Sequence, residues 1–294
     1  MNTDIKNFVE NNPALVSRKS TSYPNVYVLK YKRKVFYDNL WNEYLEECRG
    51  TLVDEHYEII SRPFTKIYNY GIESRSPVIS PSTMVTAFRK INGFMVAVTW
   101  YNGDILVSTT GSTDSDYVNM AVELIDRTKY LAVCEQWKGH TFMFECVHQN
   151  DPHIIPEEVG MYLLGYRKNQ WDSNVQVDVA ELHNLAKQFG CYNIGFHKMS
   201  LETLCDVVKQ VKHEGFVFYT DDGISAKIKS PYYLIKKFVS RNPTTEKLMN
   251  RGVKQKVDEE YYPLIDHIQE NIAEFTSLTE QGRLQWVRDF LESA

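Results

Sequence analysis

Lys227-Ile228-Lys229 places two ammonium groups two residues apart, on the same face of any strand that contains them. Side by side they repel, so the pair implies an anion between them or, failing that, a solvated edge strand. Glu214-Gly215 opens the strand-like run just before that pair. Glu145 interrupts the apolar run Phe142-Met143-Phe144-Glu145-Cys146-Val147, where a carboxylate is costly to bury without a partner. Lys90-Ile91-Asn92-Gly93 puts a lysine at a strand end before a tight turn, held by backbone on both sides and able to point into a cleft. The same four residues also describe an ordinary hairpin. Together these types suit the gripping of an anion and, for a lysine that sheds its proton, nucleophilic attack.

Other site types are missing from the sequence. There is no G-x-x-x-x-G-K-[ST], no G-x-G-x-x-G after a strand, no G-x-S-x-G and no H-E-x-x-H. Glu145, Cys146, His148 and His153 could suggest a metal centre, but Glu145 and His148 are an odd number of residues apart and so face opposite sides of a strand. The net charge is −5, from 33 basic and 38 acidic residues, so the whole chain is no polycation. Its distribution is uneven. Residues 225–256 carry nine Lys or Arg against Glu246 alone, whereas residues 257–294 carry nine acids with only Arg283 and Arg288. Lys30, Lys32, Arg33 and Lys34 form a second basic cluster. Local basic surface on an acidic protein fits an anionic substrate, although each cluster alone also reads as a solvated face.

The elements that must position these residues are mainly strands in the first half. Runs at 25–36, 49–60, 85–90, 94–101 and 105–109 are strand-like, with Asn102-Gly103 as a hairpin turn between the last two. Helical spacing follows over 115–130, then strands at 142–147 and 161–166 and helices at 177–189 and 200–212. A strand pair at 215–219 and 224–229 surrounds Asp221-Asp222-Gly223, and the pattern after Pro231 is helical, with Leu284, Val287 and Leu291 as a core stripe. This predicts an α+β domain with a helical appendage.

At 294 residues and 43% hydrophobic, the chain is long enough for a core that needs no staple. No apolar run reaches the roughly 20 residues of a membrane span. The first ten residues lack a signal-peptide core. Five cysteines without a C-x-x-C pair fit a reducing setting, so a cytoplasmic protein is expected.

Taken in order, six segments resemble the phage-type RNA ligase 1 family of ATP-dependent RNA ligases, within the covalent nucleotidyltransferase superfamily. They are Glu47-Cys48-Arg49-Gly50, Arg62-Pro63-Phe64-Thr65-Lys66, Lys90-Ile91-Asn92-Gly93, Phe144-Glu145-Cys146-Val147, Glu214-Gly215-Phe216-Val217 and Lys227-Ile228-Lys229-Ser230. The resemblance implies an α+β nucleotidyltransferase domain (ATP-grasp-like ligase) of antiparallel sheets with flanking helices over 1–230. A small all-helical domain over 231–294 would follow. It also implies three steps: lysyl-AMP formation with loss of pyrophosphate, transfer of AMP to an RNA 5′-phosphate, and attack by a 3′-hydroxyl that expels AMP.

By motif matching Lys90 is the nucleophile. An ordinary lysine has a pKa near 10.4, and making it an amine at pH 7 means lowering that by about 3 pH units, or about 4 kcal/mol. Lys227 and Lys229 would grip the α-phosphate, and with a divalent cation they are the positive charges available for the task. Arg49 and Lys66 match positions that contact the ATP phosphates. Glu214 resembles the family's metal-binding carboxylate, and Glu145 the one on the ribose or the metal. Magnesium, with manganese as substitute, is the implied ion. Tyr166 is a candidate to stack on adenine, a plain core tyrosine being the alternative. RNA is expected across a basic surface led by Lys236, Lys237 and Arg241, mostly through phosphates. A monomer acting in the cytoplasm, that of a host if phage-encoded, is expected, with end-healing kinase or phosphatase activity supplied by another protein and no membrane partner.

Two departures stand out. Asn92 replaces the aspartate usual in the nucleophile motif, and Val107-Ser108-Thr109-Thr110-Gly111-Ser112 lacks the lysines that tend to precede Gly-Ser, so a phosphate contact there is in doubt. The rival readings are a DNA ligase or capping-type enzyme, against which the helical tail counts, and a non-catalytic RNA-end-binding protein on the same fold.

Overall fold

The computed structural model describes residues 2–72, 75–241, 244–250 and 252–293. In chain order the first strands are β1 (Val16–Ser20), β2 (Tyr27–Tyr31), β3 (Arg49–Val53), β4 (Ile59–Ser61) and β5 (Met84–Arg89). Then come β6 (Phe94–Tyr101), β7 (Asp104–Ser108), β8 (His140–Val147), β9 (Gly160–Lys168) and β10 (Tyr192–Asn193). The last are β11 (Phe196–Ser200), β12 (Gly215–Thr220) and β13 (Ser225–Lys229). The chain packs as two compact units, one formed by Met1–Lys66 with Ile91–Ile194, the other by Ile67–Lys90 with Gly195–Ala294.

The first unit holds two sheets, ordered β1-β2-β3-β4 and β10-β9-β8-β6-β7. All pairings are antiparallel except β9 with the short β10. Asn102 and Gly103 take φ of 50° and 86°, the left-handed pair that a two-residue hairpin needs between β6 and β7. Phe142 and Phe144 on β8 pack on Phe189 of the helix Val179–Phe189, with ring centroids 4.9 and 5.3 Å away, and Tyr130 closes the group at 4.6 Å from Phe189. Burying each such ring contributes roughly 2 kcal/mol.

Local polar chemistry moved several expected boundaries. The run at 49–60 is interrupted because the Asp54 carboxylate accepts the N–H groups of His56 and Glu58, both at 2.8 Å, and turns the chain. The expected helix over 115–130 is two helices, Asp116–Leu124 and Arg127–Gln136, because Asp126 caps the second by accepting the Lys129 N–H at 3.2 Å. The run at 25–36 turns helical from Arg33.

The second unit is built on the sheet β11-β5-β12-β13, antiparallel throughout. The helix Leu201–Val208, capped by the Ser200 hydroxyl, buries Leu201, Leu204 and Val208 against Val85, Phe216 and Phe218 of that sheet. From Pro231 onward helices and short 3-10 turns follow. Phe238, Tyr261, Leu264, Ile268 and Phe275 form their core together with Val287 and Leu291 of the expected stripe.

Candidate active site

In the second unit β5 delivers Lys90 to the edge of the β12–β13 hairpin. The Lys90 backbone N–H donates to the Gly215 carbonyl at 2.8 Å, and Gly215 stands opposite Lys229 across the hairpin, as Val217 does to Lys227. Glu214, immediately before β12, is buried, with one oxygen 3.1 Å from the Lys90 ammonium and the other 3.8 Å from that of Lys229. Four sequence candidates, Lys90, Glu214, Lys227 and Lys229, therefore gather towards one end of the strands β5, β12 and β13.

The anion expected beside the lysine pair is partly the protein's own. Glu259 Oε1 lies 3.8 Å from Lys227 Nζ, and Glu260 Oε1 lies 2.8 Å from Lys229 Nζ. Asn69 also donates to Glu259, at 3.0 Å. Burial alone would discharge Lys229, but the Glu260 and Glu214 carboxylates outweigh it and hold its pKa well above the ordinary lysine value. Burial likewise opposes charge on Glu260, and Lys229 and Lys237 together hold its carboxyl far below the usual carboxylate range. Glu259 and Glu260 escaped the sequence reading because they open an acidic tail that resembles a solvated face. The run Asp258-Glu259-Glu260 directly before an apolar helix was the available signal.

The expected RNA-contacting group is divided by this arrangement. Lys237 is buried, with its ammonium 2.6 Å from Asp258 and 2.5 Å from Glu260, so it faces inward and is not offered to RNA. Lys236 is exposed, its ammonium 4.6 Å from the Tyr232 ring centroid, and borders a cleft of about 540 Å³ with Lys209, Lys212 and Arg288. The Arg241 side chain lies outside the described residues.

The remaining candidates lie in the first unit. Glu145 is buried on β8 and accepts the Gly93 backbone N–H at 3.1 Å, a partner that offsets part of the cost of burying it. The substituted Asn92 is also buried, and its side-chain oxygen accepts the Ile155 N–H at 3.0 Å. Lys66 is buried with its ammonium 4.6 Å from the Trp41 ring centroid and 5.8 Å from that of Phe36, a cation–π setting. Arg49, half-buried, opens β3 directly across from Lys30 of β2. The neighbouring motif residues are scaffolding: Glu47 pairs with Arg62 at 2.6 Å and Arg167 at 3.2 Å. Tyr166 sits in the aromatic core with its ring 5.1 Å from that of Trp137, and its hydroxyl donates to Glu181. Burial, then the Glu181 hydrogen bond, push its pKa up, which is the plain core tyrosine that the sequence also allowed.

A divalent cation can be tested against this set. Among the described residues no three or more His, Cys, Asp or Glu side chains cluster as metal ligands. Magnesium needs only one or two carboxylates when phosphate oxygens complete its shell. Glu214 fits that part, being buried with both oxygens turned to groups of the lysine cluster.

Residues 47–233 match the profile of the phage T4-type family described as RNA ligase. A protein of Autographa californica nuclear polyhedrosis virus, named for polynucleotide kinase and RNA ligase functions, is 23% identical over 223 residues. That match takes in 64% of this chain and 30% of the viral protein, so the chain spans less than a third of the length of the curated relative it matches. Among solved structures, an archaeal ATP-dependent RNA ligase aligns with a TM-score of 0.60 at 15% identity, over 97% of this chain and 76% of that one. An Aquifex aeolicus protein named as an ATP-dependent DNA ligase gives 0.58 at 15% identity, over 97% and 78%. At such identity the two likenesses establish the fold, the nucleotidyltransferase fold of ATP-dependent ligases, with antiparallel sheets, flanking helices and C-terminal helices. With almost two-thirds of its length covered by the profile, the chain belongs to the RNA ligase family.

Proposed function

We propose that the chain is an ATP-dependent RNA ligase that joins 5′-phosphate and 3′-hydroxyl RNA ends through a lysyl-AMP intermediate. The observation that carries this reading is the contact series Lys90–Glu214–Lys229 at the foot of the β12–β13 hairpin. Lys90 supplies the nitrogen that forms a bond to the α-phosphorus of ATP while the bond to pyrophosphate breaks. Lys227 and Lys229, fixed two residues apart, stabilise the charge gathering on that phosphate. Glu214, 3.1 Å from the Lys90 ammonium, holds that side chain at the foot of the hairpin. Glu214, with Glu145 as the second candidate, would hold magnesium, which supplies positive charge against phosphate oxygens. Arg49 and Lys66 hold the ATP phosphates, and Lys236 leads the RNA surface.

The division into a nucleotidyltransferase domain over 1–230 and a helical domain over 231–294 belongs to this proposal, supported by the change to helices after Pro231. So does action as a cytoplasmic monomer, the five unpaired cysteines suiting a reducing compartment. RNA repair is the fitting process. The viral relative's name joins a kinase to a ligase, so a kinase that heals the ends is the companion activity proposed here. Incubation with labelled ATP and magnesium, then a chase with 5′-phosphorylated RNA or DNA, tests the reading. A labelled adduct that is absent in Lys90→Ala and chased by RNA supports it. An adduct surviving that substitution removes the assignment, and a chase by DNA alone makes the protein a DNA ligase.

A further inference from the structure

Three segments of the second unit wall the cleft of about 540 Å³ that Lys236 borders. The turn after the helix Leu201–Val208, closed by the Gln210 N–H donating to the Val207 carbonyl at 3.0 Å, carries Lys209, Val211 and Lys212. The helix Pro231–Arg241 presents two faces. Lys237 and Phe238 turn inward, to Glu260 and to the apolar core, while Tyr232, Ile235 and Lys236, spaced i, i+3 and i+4, border the cleft. The helix Glu280–Ser293 divides in the same way. Its Val287 and Leu291 are core, and Arg288 and Glu292, each one position further on, line the cleft.

The lining is of two chemical kinds. Val211, Tyr232 and Ile235 are half-buried and give the cleft an apolar floor. Lys209, Lys212, Lys236 and Arg288 are exposed and set four cations against the single carboxylate of Glu292. Among the described residues none of the four has a carboxylate within ion-pair distance. This contrasts with Lys229 and Lys237, whose charges are met by Glu260. The Lys236 ammonium lies 4.6 Å from the Tyr232 ring centroid, so cation and aromatic ring stand together at the cleft.

A phosphate alone would use the cations and have no need of the ring. A duplex offers its phosphates but keeps its bases stacked inside, away from an apolar floor. An unpaired nucleotide supplies a free flat base together with the phosphates on either side of it, and basic and aromatic side chains side by side suit both parts. We propose that this cleft seats an unpaired nucleotide of single-stranded RNA, with its base against Tyr232, Val211 and Ile235 and its flanking phosphates on the four cations. The assignment rests on the RNA ligase reading above and adds a base contact to a surface read there through phosphates.

The test uses the full-length chain and fluorescence anisotropy with three labelled probes of equal length: an unstructured single-stranded RNA, the same strand with abasic positions at its centre, and a blunt RNA duplex. Wild type should bind the intact single strand roughly tenfold more tightly than the abasic one. Tyr232→Ala should erase that preference, and Tyr232→Phe should keep it. Circular dichroism checks that Tyr232→Ala is folded. If it is not, Lys212→Ala, on an exposed turn, takes its place and should reduce the salt slope of single-strand binding by about 1. Equal binding of intact and abasic strands by wild type, duplex binding as tight as that of the single strand, a preference that survives in folded Tyr232→Ala, or an unchanged slope in Lys212→Ala would each overturn the proposal. Competition by polyglutamate as strong as that by RNA would overturn it too, marking a site for acidic peptides. A labelled adduct that RNA chases, without any preference for the intact strand, would leave the ligase reading standing and remove the seat. The preference without an adduct would do the reverse.

Discussion

The ammonium of Lys229 lies 2.8 Å from the carboxylate of Glu260, thirty-one residues further along the chain, and that same oxygen lies 2.5 Å from Lys237. The strand that would grip the α-phosphate is therefore tied to the helical tail by a buried ion network. Removing one member of such a network leaves charges stranded, which costs more than the intact pair contributes. Glu260→Gln should lower the unfolding free energy by roughly 3 kcal/mol or more. Urea titration against wild type checks this, and a loss under about 0.5 kcal/mol would mean that the network carries little weight.

The same network sets a pH dependence. The Glu260 carboxyl is held below its ordinary value of 4.5, so the folded form takes up a proton less readily than the unfolded form. Its contribution is present above that ordinary value and is lost as pH falls towards the folded one. Lys229 is held above its ordinary 10.5, so its contribution is present below that value and is lost as pH rises beyond it. Denaturation between pH 7 and pH 3 should show a stability loss in wild type that is shallower in Glu260→Gln.

Gly215 joins Lys90 to the lysine pair through backbone alone. Its φ is +135°, and a Cβ there would come within 2.1 Å of the Ile228 carbonyl oxygen and 2.8 Å of Lys229 Cα. Backbone cannot give way as a side chain tip can, so Gly215→Ala should push β13 from β12 and cost about 1–3 kcal/mol. Adduct formation with labelled ATP should fall at least tenfold at temperatures where circular dichroism shows the variant folded.

Glu214→Gln removes the charge that faces both Lys90 and Lys229. Adduct formation should fall on the order of 100-fold, the usual effect of losing one well-placed electrostatic group. Single-turnover kinetics at saturating ATP and magnesium give the number. An unaltered rate would remove Glu214 from the reaction.

The cleft bordered by Lys209, Lys212, Lys236 and Arg288 should bind RNA through phosphates. Lys236→Ala should weaken binding about equally for unrelated RNA sequences and reduce the salt slope by about 1. Fluorescence anisotropy across a salt series measures both.

Much of this was legible in the amino-acid order because it depends on local chemistry. Lys90 before a turn, the alternate lysines at 227 and 229 and the Asn102-Gly103 hairpin are patterns fixed by a few neighbouring residues, and six motif segments in order were enough to indicate the family. Glu145 stood out because a carboxylate in an apolar run demands a partner, but only folding brought the Gly93 N–H to it. The partners of Lys229 and Lys237 were hidden for the same reason. Ion pairing falls off with distance in space, and no periodicity links position 229 to 260. Lys30 read as one of four surface lysines or arginines until a bulge at Gly50 and the loop at Gly111 closed around it. The sequence by itself determined which groups can attack, grip or pair. The tertiary structure decided which charges are already neutralised within the protein, because burial and long-range contact set the energy of a charge.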